Sequence, residues 1–368
     1  MATEVLPDDR ALRFGRRERA LAQMEAHDLD VLVLGRQANA RYISGVPQLW
    51  VAGTRPFGPI CVIVRATGEI HLNSTWDEGV PGEISRERLY GLAWNPRNLI
   101  AVLQRIEGAD SARRVGTDAL TPAFASMLPM AFPRAQLVDA EPAMRAARRI
   151  KTPDEVAAIR TAVDVAQQGV QAGVNELRVG VSVSSLAGAV LEAMAAGGVC
   201  TPATQDAAWI SSRSRPFRSS SMGVSIRPGD LVSLSAGALA GGYVGEVART
   251  VAAADDPSIH RLYQRSEELR ERLIAACRPG AYGHELIAAY DAANEPLPPA
   301  PIAHGVGMGF DPPVITTQLP RAVTDECLEA GTVLAVSSYV FEHGIGTVFT
   351  RDVVLINDGG PELQTTGS

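Results

Sequence analysis

An α/β first half followed by an α+β second half is the fold class this chain predicts. In the first half, short apolar runs ended by glycine alternate with helical patterns. A proline-bearing helix start at Thr152-Pro153-Asp154-Glu155 then opens a new region. There, pairs of helices give way to glycine-punctuated, β-rich sequence twice over.

From Arg10 to Ala26, Leu12, Phe14, Leu21 and Met24 set among arginines predict an amphipathic helix. Val31-Leu32-Val33-Leu34-Gly35 and Ile60-Cys61-Val62-Ile63-Val64 predict two buried strands, the second closed by a turn at Thr67-Gly68. Leu99 to Ile106 predicts a helix and Val115-Gly116-Thr117 a strand end. A basic stretch from Met144 to Arg149 closes this half. The division is therefore expected at residues 1–147 and 148–368.

The second half starts with a capping threonine, a proline at the first helical position and a glutamate at the third. Each of these satisfies or spares a backbone amide that the first turn leaves without a partner. Ile159, Val163, Ala166 and Val170 follow at helical spacing and predict the buried stripe. A second helix is expected from Ser184 to Ala196, and β structure from Leu231 to Val251. A charged helix from Leu262 to Cys277 and another from Gly283 to Ala293 repeat the order. Val179-Gly180-Val181 before one helix mirrors Arg278-Pro279-Gly280 before another, so an internal duplication is expected. Pro296 to Pro301 reads as an extended connector.

With 368 residues, 46% hydrophobic and 20% charged, the chain can bury two domain cores. A net charge of −7 supplies no global field for nucleic acid or an anionic membrane, so neither partner is expected. Cys61, Cys200, Cys277 and Cys327 lack paired metal-type spacing and read as reduced and mostly buried. Met1 to Asp9 is acidic and carries no apolar segment, and no long uncharged apolar run could span a bilayer; a cytoplasmic location is expected.

Several segments together resemble the pita-bread family of creatinase, prolidase and Xaa-Pro aminopeptidase, over nearly the whole chain. Asp30 to Leu34 followed by Asn39 to Gly45 looks like that family's strand and Tyr-x-x-Gly turn. Arg149-Ile150-Lys151-Thr152 with Glu155 looks like the segment that opens its second domain. Gly229 to Val232 through Tyr243 to Thr250 looks like its first metal-bearing hairpin, and His304-Gly305-Val306-Gly307 like its His-Gly-x-Gly element. Gly331 to Leu334 and Arg351 to Leu355 look like its last two strands. The resemblance implies an α/β N-terminal domain plus an α+β pita-bread C-terminal domain, and a homodimer. It constrains the reaction much less than the fold.

Hydrolases of that family hold two divalent ions with two aspartates, one histidine and two glutamates, because neighbouring hard cations need bridging carboxylates. On that pattern Ser235 and Glu246 stand at the aspartate positions, and His304 at the histidine. Ser337 and Arg351 stand at the glutamate positions. A guanidinium stays protonated. At an effective dielectric of about 20, a divalent ion roughly 4 Å away repels it by on the order of 8 kcal/mol. No metal and no other cofactor are expected.

Opposite charges at two positions that once faced the same ion imply a salt bridge between Glu246 and Arg351. It could serve a reaction or only neutralise a relic cavity. His304, the group near neutrality that the motif points inward, is the candidate for proton transfer, with Glu246 as base or binding group. Ser235 and Ser337 are candidate hydrogen-bond donors. Arg218 stands where the family places a substrate-facing histidine, and with Arg351 could clamp an anion; a solvated basic loop would look the same. His343 could reach the cavity. Trp50, Arg55 and Phe57 are candidates for a lid, or belong to an ordinary loop. The expected activity is metal-independent acid–base chemistry (C–N hydrolysis, elimination or isomerisation) on a small polar or anionic molecule. A silent binding module and a metallopeptidase with atypical ligands are the alternatives.

Overall fold

The computed structural model describes residues 10–46, 59–91, 95–118, 120–199, 202–203, 208–213, 215–219, 223–320 and 325–366. The chain forms two compact units that divide between Arg148 and Arg149.

In the first unit the elements run α1 (Arg10–Ala26), β1 (Val31–Leu34), α2 (Gln37–Ser44), β2 (Cys61–Val64), β3 (Ile70–Asn73) and β4 (Leu89–Tyr90). They continue with α3 (Pro96–Leu103), β5 (Arg114–Thr117), α4 (Pro122–Ala131), β6 (Gln136–Asp139) and α5 (Glu141–Arg149). The strands form one sheet in the order β4-β3-β2-β1-β5-β6, in which β1, β5 and β6 run parallel while β2 is antiparallel to both of its neighbours. The all-apolar β1 and β2 are buried along their whole length, as strands covered on both faces must be.

Two local expectations are corrected. The buried stripe of α1 is Leu12, Arg16, Ala20 and Met24, a strict four-residue spacing. Phe14 lies outside it, 36% exposed under the guanidinium groups of Arg10 and Arg17. The segment from Asn39 to Gly45, read as a turn after the strand at Asp30 to Leu34, is instead the greater part of helix α2 with its glycine cap. Gly45 caps it in the left-handed region at φ +79°, donating to the Arg41 carbonyl. The fixing contact is tertiary: Tyr42 is buried and its hydroxyl donates 2.7 Å to the Ala147 carbonyl of α5.

The second unit runs α6 (Pro153–Glu176), α7 (Val183–Ala196), β7 (Ala208–Ser212), β8 (Arg215–Ser219), β9 (Leu231–Ala240) and β10 (Tyr243–Ala252). It continues with α8 (Pro257–Ala276), α9 (Gly283–Ala293), β11 (Ala303–Val306), β12 (Phe310–Ile315), β13 (Val333–Glu342), β14 (Gly346–Asn357) and β15 (Gly360–Leu363). The capping box forms as the sequence predicts. Thr152 Oγ1 accepts from the Glu155 amide while Glu155 Oε2 accepts from the Thr152 amide. The other oxygen of Glu155 accepts from the buried Tyr243 hydroxyl, so the cap also pins the start of β10.

The expected duplication is written in the strand order β12-β11-β13-β14-β10-β9-β7-β8, in which two similar halves meet where β14 pairs with β10. Gly180 and Gly280 occupy equivalent turns with φ +90° and +81°, each followed by a one-residue bridge, Ser182 to Ser225 and Tyr282 to Cys327. The stretch around Arg218, for which a solvated basic loop is one of the two readings, belongs to β8, paired antiparallel with β7.

The described helices α6 to α9 serve one face of this sheet. An added Cβ on Gly245 would meet the Ala162 backbone of α6 at 2.2 Å, so only glycine lets helix and strand approach this closely. Ser266 and Arg270 of α8 bond Ser338 and Asp352 on the same face. Leu269, Leu273, Leu286 and Tyr290 complete a core with Leu334, Val336 and Val340. Among the described residues, no helix is long and apolar enough to cross a membrane.

Candidate active site

Strand alternation puts the residues next to these core positions on the sheet's other face. Ser235 pairs with Ala248, Ala248 with Arg351, and Arg351 with Ser337, so these residues form one row across β9, β10, β14 and β13. Glu246 lies two residues from Ala248 on β10, hence on the same face. His304 comes from β11, opposite Ala335 and thus on the face that carries Ser337.

Side chains from these separate strands converge. Arg351 Nη1 donates to Glu246 Oε2 at 2.8 Å, and Arg351 Nε donates to the Ser337 hydroxyl at 3.1 Å. The guanidinium carbon stands 5.5 Å from the centroid of the Phe349 ring, within cation–π range. His304 Nε2 lies 3.4 Å from the other oxygen of Glu246. Glu246 and His304 are 7% and 4% exposed, so the chemistry here is screened from bulk water. Burial alone would favour a protonated Glu246, but the hydrogen bond with His304 and the charge of Arg351 outweigh it. The carboxyl is held below the ordinary glutamate range. The Ser235 hydroxyl, half-buried on the same row, has no hydrogen-bond partner among the described residues.

These residues do not fit a pair of divalent ions. Two hydroxyls and a guanidinium stand where carboxylates would be needed, and the cation of Arg351 already occupies one Glu246 oxygen. Among the described residues, no group of three or more His, Cys, Asp or Glu side chains converges to hold an ion.

The remaining expectations are placed differently. Arg218 pairs with the buried Ile210 on β7, whereas its neighbour Phe217 stacks on Trp209 at 5.2 Å. Because side chains alternate along β8, Arg218 faces away from Trp209 and Phe217 and is exposed. This corrects its expected role beside Arg351. His343 is exposed in the β13–β14 turn, six residues beyond Ser337, roughly 20 Å away at the rise of a strand; it does not reach the site. Trp50, Arg55 and Phe57 lie outside the described residues.

Sequence reading missed an aromatic cluster on the same face. Phe217 is its hub, contacting Trp209, Tyr339 at 5.6 Å and Phe349 at 5.8 Å. The available signal was spacing: Tyr339 is two residues from Ser337 and Phe349 two from Arg351, the separation that keeps strand residues on one face.

Comparison with known proteins follows the same lines. Residues 157–358 match metallopeptidase family M24, and residues 16–150 match the creatinase/prolidase N-terminal domain. A Xaa-Pro dipeptidase of Pyrococcus furiosus is 26% identical over 226 residues, covering 59% of this chain and 63% of that relative, less than two thirds of its length. Among solved structures, the prolidase of Pyrococcus horikoshii superposes with a TM-score of 0.75 at 21% identity, covering 96% of this chain and 98% of that one. A Xaa-Pro dipeptidase from Bacillus anthracis gives 0.77 at 18% identity, covering 97% and 98%. At those identities the likeness is one of fold.

Proposed function

The chain belongs to metallopeptidase family M24, with a creatinase/prolidase N-terminal domain and a pita-bread C-terminal domain, and we propose that its site catalyses an acid–base reaction without the paired ions. The substrate is a small polar or anionic molecule, and the reaction a C–N hydrolysis, elimination or isomerisation. The observation that carries this reading is the 2.8 Å pair of Arg351 and Glu246, a fixed cation at a position where the family resemblance implies a metal-binding carboxylate.

In this reading Arg351 supplies positive charge without a metal ion and keeps Glu246 ionised. Glu246 orients the His304 ring through the 3.4 Å contact, and such contacts tighten when substrate closes the site. His304 carries the transferable proton. The Ser235 and Ser337 hydroxyls and the guanidinium face the substrate's oxygen atoms. The named relatives are Xaa-Pro dipeptidases, so a substrate with a C–N bond beside a carboxylate is the first class to screen. A homodimer belongs to the same reading.

Metal analysis of protein expressed with added manganese and cobalt, paired with a substrate screen in chelator, tests the proposal. Metal content far below the two equivalents of a two-metal site is expected, with turnover that survives chelation and is lost in His304→Gln. Two bound equivalents would restore the metallopeptidase reading. Absence of turnover across the screen would favour a binding module, in which the Arg351–Glu246 pair only neutralises the cavity.

A further inference from the structure

We propose that the ligand of this site is amphipathic: a carboxylate or comparable oxyanion carried on an aryl group. The inference rests on the reading of Arg351 as an anion-facing cation and adds to it the half of the molecule that the polar residues leave unspecified.

Two chemically different surfaces adjoin on the sheet face opposite α6 and α8. The polar one is Glu246, His304, Arg351 and Ser337. The other is the cluster of Trp209, Phe217, Tyr339 and Phe349, drawn from β7, β8, β13 and β14. They meet at Arg351, whose guanidinium stands 5.5 Å from the Phe349 centroid. Phe349 is 8% exposed, while Trp209, Phe217 and Tyr339 remain half-buried. Single exposed aromatics are ordinary, but Phe217 in contact with both Trp209 and Tyr339 beside a buried ion pair makes a continuous apolar surface that is only partly covered.

The charges explain why a purely polar ligand would gain little. Glu246 already neutralises Arg351, and Nη1 and Nε of Arg351 already have partners. Nη2 has no partner among the described residues. It can donate to one oxyanion, and Ser235 offers a hydroxyl on the same row, two strands or roughly 10 Å across. One anion contact orients a ligand but binds it weakly against competing water. Apolar burial supplies the rest, and rings stacked in the geometry of Trp209 and Phe217 accept another flat ring at the same spacing.

Isothermal titration of the full chain with phenylacetate, acetate and phenylacetamide reads both surfaces separately. Phenylacetate is expected to bind about tenfold tighter than either comparison compound, the order that one added aromatic contact or one charge-assisted bond provides. Phe217→Leu should remove most of the advantage over acetate, and Arg351→Met the advantage over phenylacetamide. Tyr339→Leu serves as the second aromatic variant if Phe217→Leu fails to fold by circular dichroism. Equal affinity for acetate and phenylacetate overturns the proposal, as does millimolar phenylacetate that does not bind or affinity unmoved by the aromatic variants. Selective binding without turnover in any substrate screen would sink the acid–base reading and leave this one standing. Turnover of aliphatic substrates with no aryl preference would do the reverse.

Discussion

Arg351 of β14 and Glu246 of β10 are joined at 2.8 Å on adjacent strands, with 14% and 10% of their side chains exposed. A guanidinium so placed does two jobs at once. It neutralises a buried carboxylate and fixes the Ser337 hydroxyl.

Removing either partner strands the other's charge in a poorly solvated place. Arg351→Met or Glu246→Gln is each expected to cost about 3 kcal/mol, near the lower end for a broken buried pair. The double variant should cost clearly less than the sum. Urea titrations of the four proteins check this; additive costs would mean that the two side chains are not coupled.

The depressed Glu246 carboxyl sets an acid-side dependence. A group whose folded pKa lies below its unfolded value of about 4.3 contributes stability that is complete above that value and lost as pH falls through the folded one. The stability gap between the native protein and Glu246→Gln should therefore be widest near neutral pH and shrink below about pH 4. Denaturation midpoints across that range would show it, and a gap that widens on acidification would contradict the geometry.

Two glycines make opposite predictions. Gly245→Ala drives a methyl group into the α6 backbone and is expected to cost about 3 kcal/mol or to prevent soluble folding. Gly188 sits exposed within α7 with nothing within 4 Å of an added Cβ, so Gly188→Ala should stabilise by up to about 1 kcal/mol. Thermal melts of both variants distinguish a packing requirement from a mere preference for glycine.

The cap of α6 is a further site for a stability test. Thr152→Ala removes the acceptor for the Glu155 amide and should cost about 1 kcal/mol. Glu155→Ala should cost more, because it also leaves the buried Tyr243 hydroxyl without the acceptor it now has. Equal losses would mean that the link to β10 contributes nothing.

What the chain reveals as a string of residues is whatever depends on near neighbours. The cap at Thr152 and Glu155, the helices at Gly283–Ala293 and Arg10–Ala26, and the twofold order of helix pairs and strands all follow from spacing of a few residues. That Ser337 and Arg351 share one sheet face with Glu246 and His304 was legible too, through the family resemblance that aligned these strand positions. What only the folded molecule decided is contact between distant segments. The helix at Gln37–Ser44 owes its place to the buried bond from Tyr42 to Ala147. Arg218 and Phe217 are neighbours in sequence, yet the pairing of β8 with β7 decides that the phenyl ring joins the site face and the guanidinium does not. Register between strands is a property of the whole sheet, and a shift of one residue exchanges its two faces.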